Sequence, residues 1–341
     1  MKKTLFLLLL LTTFMTHATS INVYVWGGEI PKQLIQAFED QTQIHVNFST
    51  YDSNETMLAK IRANQHAIYD IILPSAYYVD RMRHLNLLSP LDHTKLPNLK
   101  YLSKSFRNNP YDPYNQYSIP LTWGATGIFY NQQRVKIPPR AWNDLWKTHW
   151  NKSLMLLDDM RDIFAIAMIH AHYSPNDTHP THLSNAFQRL LKLAPNIKFF
   201  ASEGIQAALI DGDAIIGSAW NGDVYKARQE NPNIQFVYPK EGYILWIDCL
   251  AIPKNAPHLK EAHAFINFLL DPVNAATIAK IEGHAITNEG GKALLPASIQ
   301  HDPTIYPSES TLKRAIIQQD VGEATLRLYN EYWQTFKLSL F

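Results

Sequence analysis

The feature that most constrains this chain is an alternation of strand and helix patterns near its N-terminus. Short runs rich in β-branched residues stand at 21–26 (INVYVW), 44–49 (IHVNFS) and 69–74 (YDIILP). Apolar residues at helical spacing follow each run, as Leu34 and Phe38 follow the first. This alternation predicts an α/β fold with a parallel sheet. The third run is apolar enough to be a strand covered on both faces.

Ligands of parallel α/β sheets gather beyond the carboxyl ends of the strands. Trp26 closes the first predicted strand, and Ser75 and Tyr77 follow the third. These three side chains are therefore candidate site residues. Packing in the core is the alternative interpretation for each aromatic ring taken singly.

A third candidate region is the segment 242–253 (GYILWIDCLAIP), which predicts a strand. Side chains of a strand alternate between its faces, so Trp246 and Asp248 lie on the same face. A ring beside a carboxylate suits an organic cation, because the ring supplies a negative π-face and the carboxylate a countercharge. A core tryptophan beside an aspartate at a strand end is an equally acceptable interpretation of these residues alone.

Two further element ends carry the same residue types. The segment 214–220 (AIIGSAW) predicts a buried strand that ends at Trp220. Asp159 and Asp162 stand at the start of a predicted helix, and their i, i+3 spacing places both on one face. Helix capping by acidic residues is the favoured interpretation of that pair. Capping and ammonium binding are compatible, because the helix dipole helps to keep both carboxylates ionised.

Length and charge limit the class of protein. At 341 residues the chain is long for one hydrophobic core, so two lobes are expected. A formal net charge of +1 shows no bias toward polyanions, which argues against nucleic acid as a partner. Aromatic residues make up 12% of the chain, enough to line a pocket as well as to pack a core.

Residues 1–18 predict a secretory signal peptide. A basic start (MKK) precedes an apolar run at 4–11, and residues 16–18 (THA) offer small residues where signal peptidase reads. The run is too short to span a membrane. We therefore expect a soluble protein of the bacterial periplasm. The single cysteine, Cys249, permits no intramolecular disulfide and is expected to be a buried thiol.

Metal and catalytic signatures are weak. His170, His172, His179 and His182 are dense, but their spacing matches no closed zinc pattern and a solvated loop separates them. The sequence contains no nucleophile elbow, no phosphate-binding glycine loop and no zinc-protease motif. We therefore expect no metal, no cofactor and no enzymatic activity. A secreted hydrolase that uses the aspartate pairs remains a minor alternative.

Several longer motifs resemble one known family, the bacterial periplasmic spermidine/putrescine-binding proteins. The likeness covers nearly the whole chain after the leader. It is carried by residues 49–57 (STYDSNETM), 69–80 (YDIILPSAYYVD), 117–126 (YSIPLTWGAT), 220–222 (WNG), 238–242 (YPKEG), 246–253 (WIDCLAIP) and 320–322 (DVG).

The resemblance implies a two-lobed periplasmic-binding-protein fold of type II. Each lobe would be a mostly parallel sheet flanked by helices, with the ligand in the cleft between the lobes. The implied boundaries are 19–127 plus 253–303 for lobe 1, and 128–252 plus 304–341 for lobe 2. A monomer would bind a polyamine and deliver it to an inner-membrane ABC permease with its ATPase. A periplasmic polyamine sensor that feeds a membrane signalling protein is the alternative role.

The resemblance also implies roles for individual residues. Trp26, Ser75, Tyr77, Trp220 and Trp246 match residues that line the family's ligand channel. Asp159, Asp162 and Asp248 match its ammonium-binding carboxylates, with Asp162 in place of a glutamate, and Gln318 matches a glutamine that bonds one end of the ligand. Gly27, Glu29 and His284 stand where the family has other residues, so their contribution to the site is open.

Overall fold

The structure is a computed structural model that describes residues 19–63 and 68–340. The predicted leader, residues 1–18, lies outside the described residues. None of the helices in residues 19–63 and 68–340 combines the length and the hydropathy that a membrane span requires.

The strands and helices alternate along most of the chain. The described residues form eleven strands: β1 Ser20–Trp26, β2 His45–Tyr51, β3 Ile71–Ile72, β4 Ser118–Asn131, β5 Leu154–Leu157, β6 Ile197–Ala201, β7 Ile216–Trp220, β8 Ile234–Val237, β9 Tyr243–Ala251, β10 Ala285–Ile286 and β11 Ala315–Ile316. The α-helices of the same residues are α1 Lys32–Thr42, α2 Asn54–Ala63, α3 Ala76–His84, α4 Met160–His170, α5 Pro180–Leu193, α6 Ile205–Ile210, α7 Asn221–Glu230, α8 Leu259–Leu269, α9 Pro272–Glu282, α10 Glu289–Ala293, α11 Ala297–Gln300, α12 Glu309–Leu312 and α13 Gly322–Leu338. Short 3₁₀ helices lie at His93–Lys95, Pro97–Tyr101, Lys104–Phe106, Pro113–Asn115, Trp142–Trp146, Thr148–Trp150 and Ala194–Asn196.

One continuous sheet runs through the molecule in the order β2-β1-β3-β9-β4-β7-β5-β6. Its outer parts are parallel: β1 pairs with β2 and β3 at one end, and β5 pairs with β6 and β7 at the other. The long strands β4 and β9 run antiparallel to each other through the middle. The predicted α/β fold is confirmed, and its two parallel regions are joined by this central pair. The boundaries given above for the two lobes remain a prediction.

All but the last residue of β4 are buried, so the hydroxyl groups of this strand lie away from solvent. A hydroxyl in such a strand needs a hydrogen-bond partner, since an unpaired buried polar group costs free energy. Ser118, Thr122 and Thr126 each donate to a carboxylate, namely those of Asp112, Glu29 and Asp162. Two of these three carboxylates line the cavity described below.

One local expectation needs correction, and one polar residue has a partner distant in sequence. The third predicted strand, 69–74, is paired as a strand only at Ile71–Ile72. At Asp70 the backbone N–H donates to Asn22 O at 2.8 Å, while the Asn22 N–H donates to the Asp70 side chain at 2.8 Å. Asn54 is of a residue type that favours helix N-caps, but Ser53 accepts the Thr56 N–H there, and Asn54 bonds to the α3 region instead. The predicted burial of Cys249 is confirmed.

Candidate ligand-binding site

A cavity of about 290 Å³ lies over the middle of the sheet. Residues from the ends of β1 and β7, from the middle of β9 and from the starts of α3, α4 and α7 line it. The structure brings all the predicted site residues to this one cavity: Trp26, Gly27, Glu29, Ser75, Tyr77, Asp159, Asp162, Trp220, Trp246, Asp248, His284 and Gln318. Their role in holding a ligand remains a prediction.

Strand β9 lines the floor of the cavity with Trp246 and Asp248, and its antiparallel neighbour in the sheet is β4. Thr122 pairs with Asp248 and Gly124 with Trp246, so these side chains share the cavity face. Gly124 is required there, because a Cβ atom would overlap the ring of Trp246 and lie 2.5 Å from Asn221 Oδ1. Trp246 and Asp248 thus share one face of β9, as predicted, and the glycine in the neighbouring strand leaves the space that the Trp246 ring occupies.

Asp248 is held at the centre of the floor by a chain of neutral donors. Ser75 Oγ donates to Asp248 Oδ1 at 2.7 Å. Asn54 Nδ2 donates to Ser75 Oγ at 3.1 Å and to the Tyr77 hydroxyl at 3.2 Å. Burial raises the pKa of Asp248 well above its ordinary value, and the charge of Glu29 adds to that effect. Asn54 therefore positions two predicted site residues at once.

Asp159 and Asp162 form one end of the cavity. Asp159 is the N-cap of α4 and accepts the Asp162 N–H at 2.9 Å. Asp162 Oδ2 accepts from the Thr126 hydroxyl at 2.5 Å and from Trp220 Nε1 at 3.3 Å. The capping interpretation of Asp159 is confirmed, and the same residue also lines the cavity.

Gln318 completes this end, because its Nε2 donates to Asp162 Oδ1 at 3.3 Å. Asn176 fixes the backbone on both sides of Gln318, through Ile317 O at 3.0 Å and Gln319 N at 2.9 Å. Burial, reinforced by the charge of Asp159, raises the pKa of Asp162 to about 7.

Arg161 supports this end from behind the cavity wall. Its guanidinium lies 5.0 Å from the ring centre of Tyr77 and 5.4 Å from that of Tyr329, and it donates to Gln319 O at 3.3 Å. A cation over two aromatic faces is favourable in this geometry. Arg161 is only 2% exposed and does not line the cavity. From this position it orients Tyr77 and partly offsets the aspartate charges.

Glu29 and His284 form the opposite end. Glu29 is 4% exposed, accepts from the Thr122 hydroxyl at 2.6 Å, and lies 3.4 Å from His284 Nε2. His284 Nε2 donates to Gly28 O at 3.2 Å. Burial raises the pKa of Glu29 to about 8, and it lowers the pKa of His284. Glu29 and His284, which depart from the family pattern, therefore lie in the cavity wall, as Gly27 does.

Aromatic rings form the walls between the two ends. Trp26 lies against Tyr51, with ring centres 4.8 Å apart. Trp246 meets His284 edge to face at 5.4 Å. Trp220 closes β7 beside Asp162. The apolar faces of these rings can cover the methylene chain of a linear ligand.

Several cavity residues were missed in the sequence. Asp223, Lys226 and Glu282 line the end that holds Glu29, and Lys226 pairs with Glu282 at 3.2 Å. Gln206 Nε2 donates to Asp223 at 2.9 Å. No local pattern marks these helical residues as a site. Thr122 and Thr126 carried a usable signal, because they are polar residues at even spacing in a strand that is otherwise apolar.

The histidines considered for a metal site have other contacts. His170 stacks on Trp146 with ring centres 4.0 Å apart, and His182 pairs with Asp177 at 2.6 Å. Among residues 19–63 and 68–340, no group of three or more His, Cys, Asp or Glu side chains could hold a metal ion.

Comparison with known proteins gives consistent matches over nearly the whole chain. A family model described as bacterial extracellular solute-binding protein matches residues 33–307. The spermidine/putrescine-binding periplasmic protein of Escherichia coli (strain K12) is 40% identical over 327 residues, covering 94% of this chain and 93% of the relative. A solved chain from Listeria monocytogenes superposes with a TM-score of 0.91 at 36% identity, covering 94% of this chain and 99% of that chain. The spermidine/putrescine ABC transporter substrate-binding protein PotD from Streptococcus pneumoniae superposes with a TM-score of 0.80 at 33% identity, covering 95% and 100%.

Proposed function

Because this chain belongs to the bacterial extracellular solute-binding protein family and has its two-lobed type II fold, we propose that its cavity binds a linear polyamine. The ligand is of the putrescine/spermidine class, which the E. coli relative is named for. The protein delivers this ligand to an ABC permease and its ATPase in the inner membrane.

The observation that carries the proposal is the pairing of buried carboxylates with neutral donors. Asp162 accepts from a hydroxyl, an indole and an amide, and Asp248 accepts from a hydroxyl. Such bonds do not neutralise a buried negative charge, which is costly without a countercharge. A polyamine supplies ammonium groups at intervals along an apolar chain, and therefore satisfies the carboxylates and the rings together.

The expected energetics follow from the same two contributions. Each methylene buried between rings such as Trp26 and Trp246 contributes roughly 0.8 kcal/mol. Each ammonium–carboxylate contact is a charge-assisted hydrogen bond, stronger than a neutral one. Closure of the lobes around the ligand excludes water and strengthens these contacts, and the closed form is the one that the permease recognises.

The setting of this function rests on the sequence. Export through a leader at residues 1–18 would deliver the protein to the periplasm. Lobe 1 comprises residues 19–127 and 253–303, and lobe 2 comprises residues 128–252 and 304–341. The protein acts as a monomer and carries out no chemical reaction. None of the relatives named above is a sensor or a hydrolase, and no feature of the cavity favours either role.

Calorimetric titration with putrescine, cadaverine, spermidine and norspermidine tests the proposal. At least one of these amines is expected to bind, and Asp248→Asn is expected to weaken binding by about tenfold or more, from roughly 1.5–3 kcal/mol for a charged hydrogen bond. Asp211→Asn, on an exposed side chain outside the cavity, is the matched control and should change nothing. The proposal fails if the protein is indifferent to every amine in the panel.

A further inference from the structure

We propose that Lys226 is a specificity residue, an ammonium group of the protein's own that disfavours a third ligand ammonium at the Glu29 end of the cavity. The inference rests on the proposed polyamine-binding function and concerns which polyamine the cavity prefers. It assigns a role to the ion pair between Lys226 and Glu282, both of which line the cavity.

The two partners come from different helices that meet at this end. Lys226 lies in α7, which starts directly after Trp220, and Glu282 is the last residue of α9. The helices approach closely through two glycines. A Cβ atom at Gly222 would lie 2.5 Å from His284 Nδ1, and one at Gly283 would lie 3.0 Å from Lys226 Cγ.

The pair is close to the other acidic groups of this end. Glu282 Oε2 lies 3.8 Å from where a Cβ atom of Gly28 would be, next to the turn that carries Glu29. Asp223 stands one helical turn before Lys226 in α7 and lines the same cavity. Lys226 acts on Glu29 electrostatically: burial raises the pKa of Glu29, and the positive charge of Lys226 lowers it.

Lys226 is held in place well enough to act as a fixed charge. Its side chain is 28% exposed, that of Glu282 is 11% exposed, and their charged atoms are 3.2 Å apart. A ligand ammonium that approached Glu29 would therefore meet a positive charge already present at this end. Like charges repel more strongly in such a partly buried site than in water.

The consequence depends on the length of the ligand. A diamine that reaches from Asp159 and Asp162 to Asp248 places no ammonium beside Lys226. A triamine bound at the same two places extends its third ammonium toward Glu29. Lys226 therefore lowers the affinity for the triamine and leaves that for the diamine nearly unchanged.

The test is calorimetric titration of the whole protein with putrescine and with spermidine at one ionic strength, comparing the ratio of the two dissociation constants. Lys226→Met removes the charge and keeps the length of the side chain. It is expected to shift the ratio toward spermidine by about fivefold or more. Lys226→Arg keeps the charge and should keep the wild-type ratio.

Two further variants separate this effect from a general change in charge. Glu282→Gln leaves Lys226 without its partner and should shift the ratio the other way, toward putrescine. Lys280→Met removes an exposed lysine of the same helix as Glu282, outside the cavity, and should not shift it.

The outcomes distinguish the two proposals. A wild-type protein that binds neither amine overturns the proposed function and this inference with it. A wild-type protein that binds both amines, with a ratio that Lys226→Met leaves unchanged, overturns this inference alone. The inference is also overturned if Lys226→Met strengthens the binding of both amines equally, because the effect would then be a general attraction of cations.

Discussion

The two ends of the cavity hold their carboxylates by different means. At the Asp162 end, the donors are the neutral groups of Thr126, Trp220 and Gln318. At the Glu29 end, Thr122 and Gln206 likewise donate to Glu29 and Asp223, but a lysine of the protein itself also pairs with Glu282. Both ends are acidic, but among the lining residues that the structure describes, the lysine lies at the second end.

This difference separates affinity from selectivity. Neutral donors fix the position of a carboxylate and leave its negative charge to attract a cation from outside. A carboxylate already paired with lysine has less to gain from a ligand ammonium. We therefore expect the Asp162 end to supply most of the binding free energy for every amine, and the Glu29 end to discriminate among amines by length.

The largest effect should come from Asp162→Asn. It should weaken the binding of putrescine and spermidine alike by about tenfold to a hundredfold, from roughly 1.5–3 kcal/mol for a charged hydrogen bond. Glu29→Gln should weaken spermidine more than putrescine and cost less in both cases. Calorimetric titration of both variants measures this, and the comparison of the two ends is wrong if Glu29→Gln is the more damaging substitution for putrescine.

The next largest effect should be the release of a proton from Asp162 when an amine binds. Burial raises the pKa of Asp162 to about 7, so the protein without ligand holds that proton at pH 6. An ammonium favours the ionised carboxylate, so binding expels the proton, and affinity should fall about tenfold from pH 8 to pH 6. Titrations at pH 6 in two buffers of different ionisation heat measure the released protons. Identical heats in both buffers would contradict the prediction.

The same pKa shift has a consequence for stability in the absence of ligand. A carboxyl group whose pKa is raised in the folded state contributes stability that is fully present below its ordinary pKa. That contribution is lost as the pH rises through about 7 for Asp162 and about 8 for Glu29. The melting temperature should therefore fall between pH 5 and pH 8, and Asp162→Asn should reduce that dependence.

A smaller effect is expected at the floor that both ends share. Gly124→Ala would place a methyl group in the ring of Trp246, and overpacking of this kind costs roughly 1–3 kcal/mol. The free energy of unfolding should fall accordingly, and binding of all amines should weaken as the ring moves. Gly27→Ala is the control for stability alone, because nothing lies within 4 Å of its added Cβ atom. Equal stability of the two variants in denaturant titrations would remove the structural role of Gly124.

Local sequence patterns located more of the Asp162 end than of the Glu29 end, for a physical reason. Trp220, Asp159 and Asp162 stand at the boundaries of strands and helices, and local patterns locate such boundaries. Asp223, Lys226 and Glu282 become neighbours only when α7 and α9 meet. That contact depends on tertiary packing through Gly222 and Gly283, which no local pattern reports.

The same distinction explains the local corrections. Asn54 has the residue type of a helix cap, but a hydrogen bond to Ser75, 21 residues away in sequence, is available to it in the folded protein. The segment 69–74 has the apolar pattern of a full strand, yet the Asn22 N–H of the neighbouring strand bonds to the Asp70 side chain. In both cases a polar side chain found a distant partner that local propensity does not include.

The smallest effect should come from the two threonines that hold the ends to β4. Thr126→Val keeps the shape of the side chain and removes the donor to Asp162, which costs about threefold to tenfold in affinity for both amines, from roughly 0.5–1.5 kcal/mol. Because the Thr126 hydroxyl lowers the pKa of Asp162 against the effect of burial, the variant should also shift the pH dependence upward. Thr122→Val makes the matched change at Glu29 and should alter spermidine binding alone. If Thr122→Val weakens putrescine as much as Thr126→Val does, the diamine reaches Glu29 and the two ends do not divide affinity from selectivity.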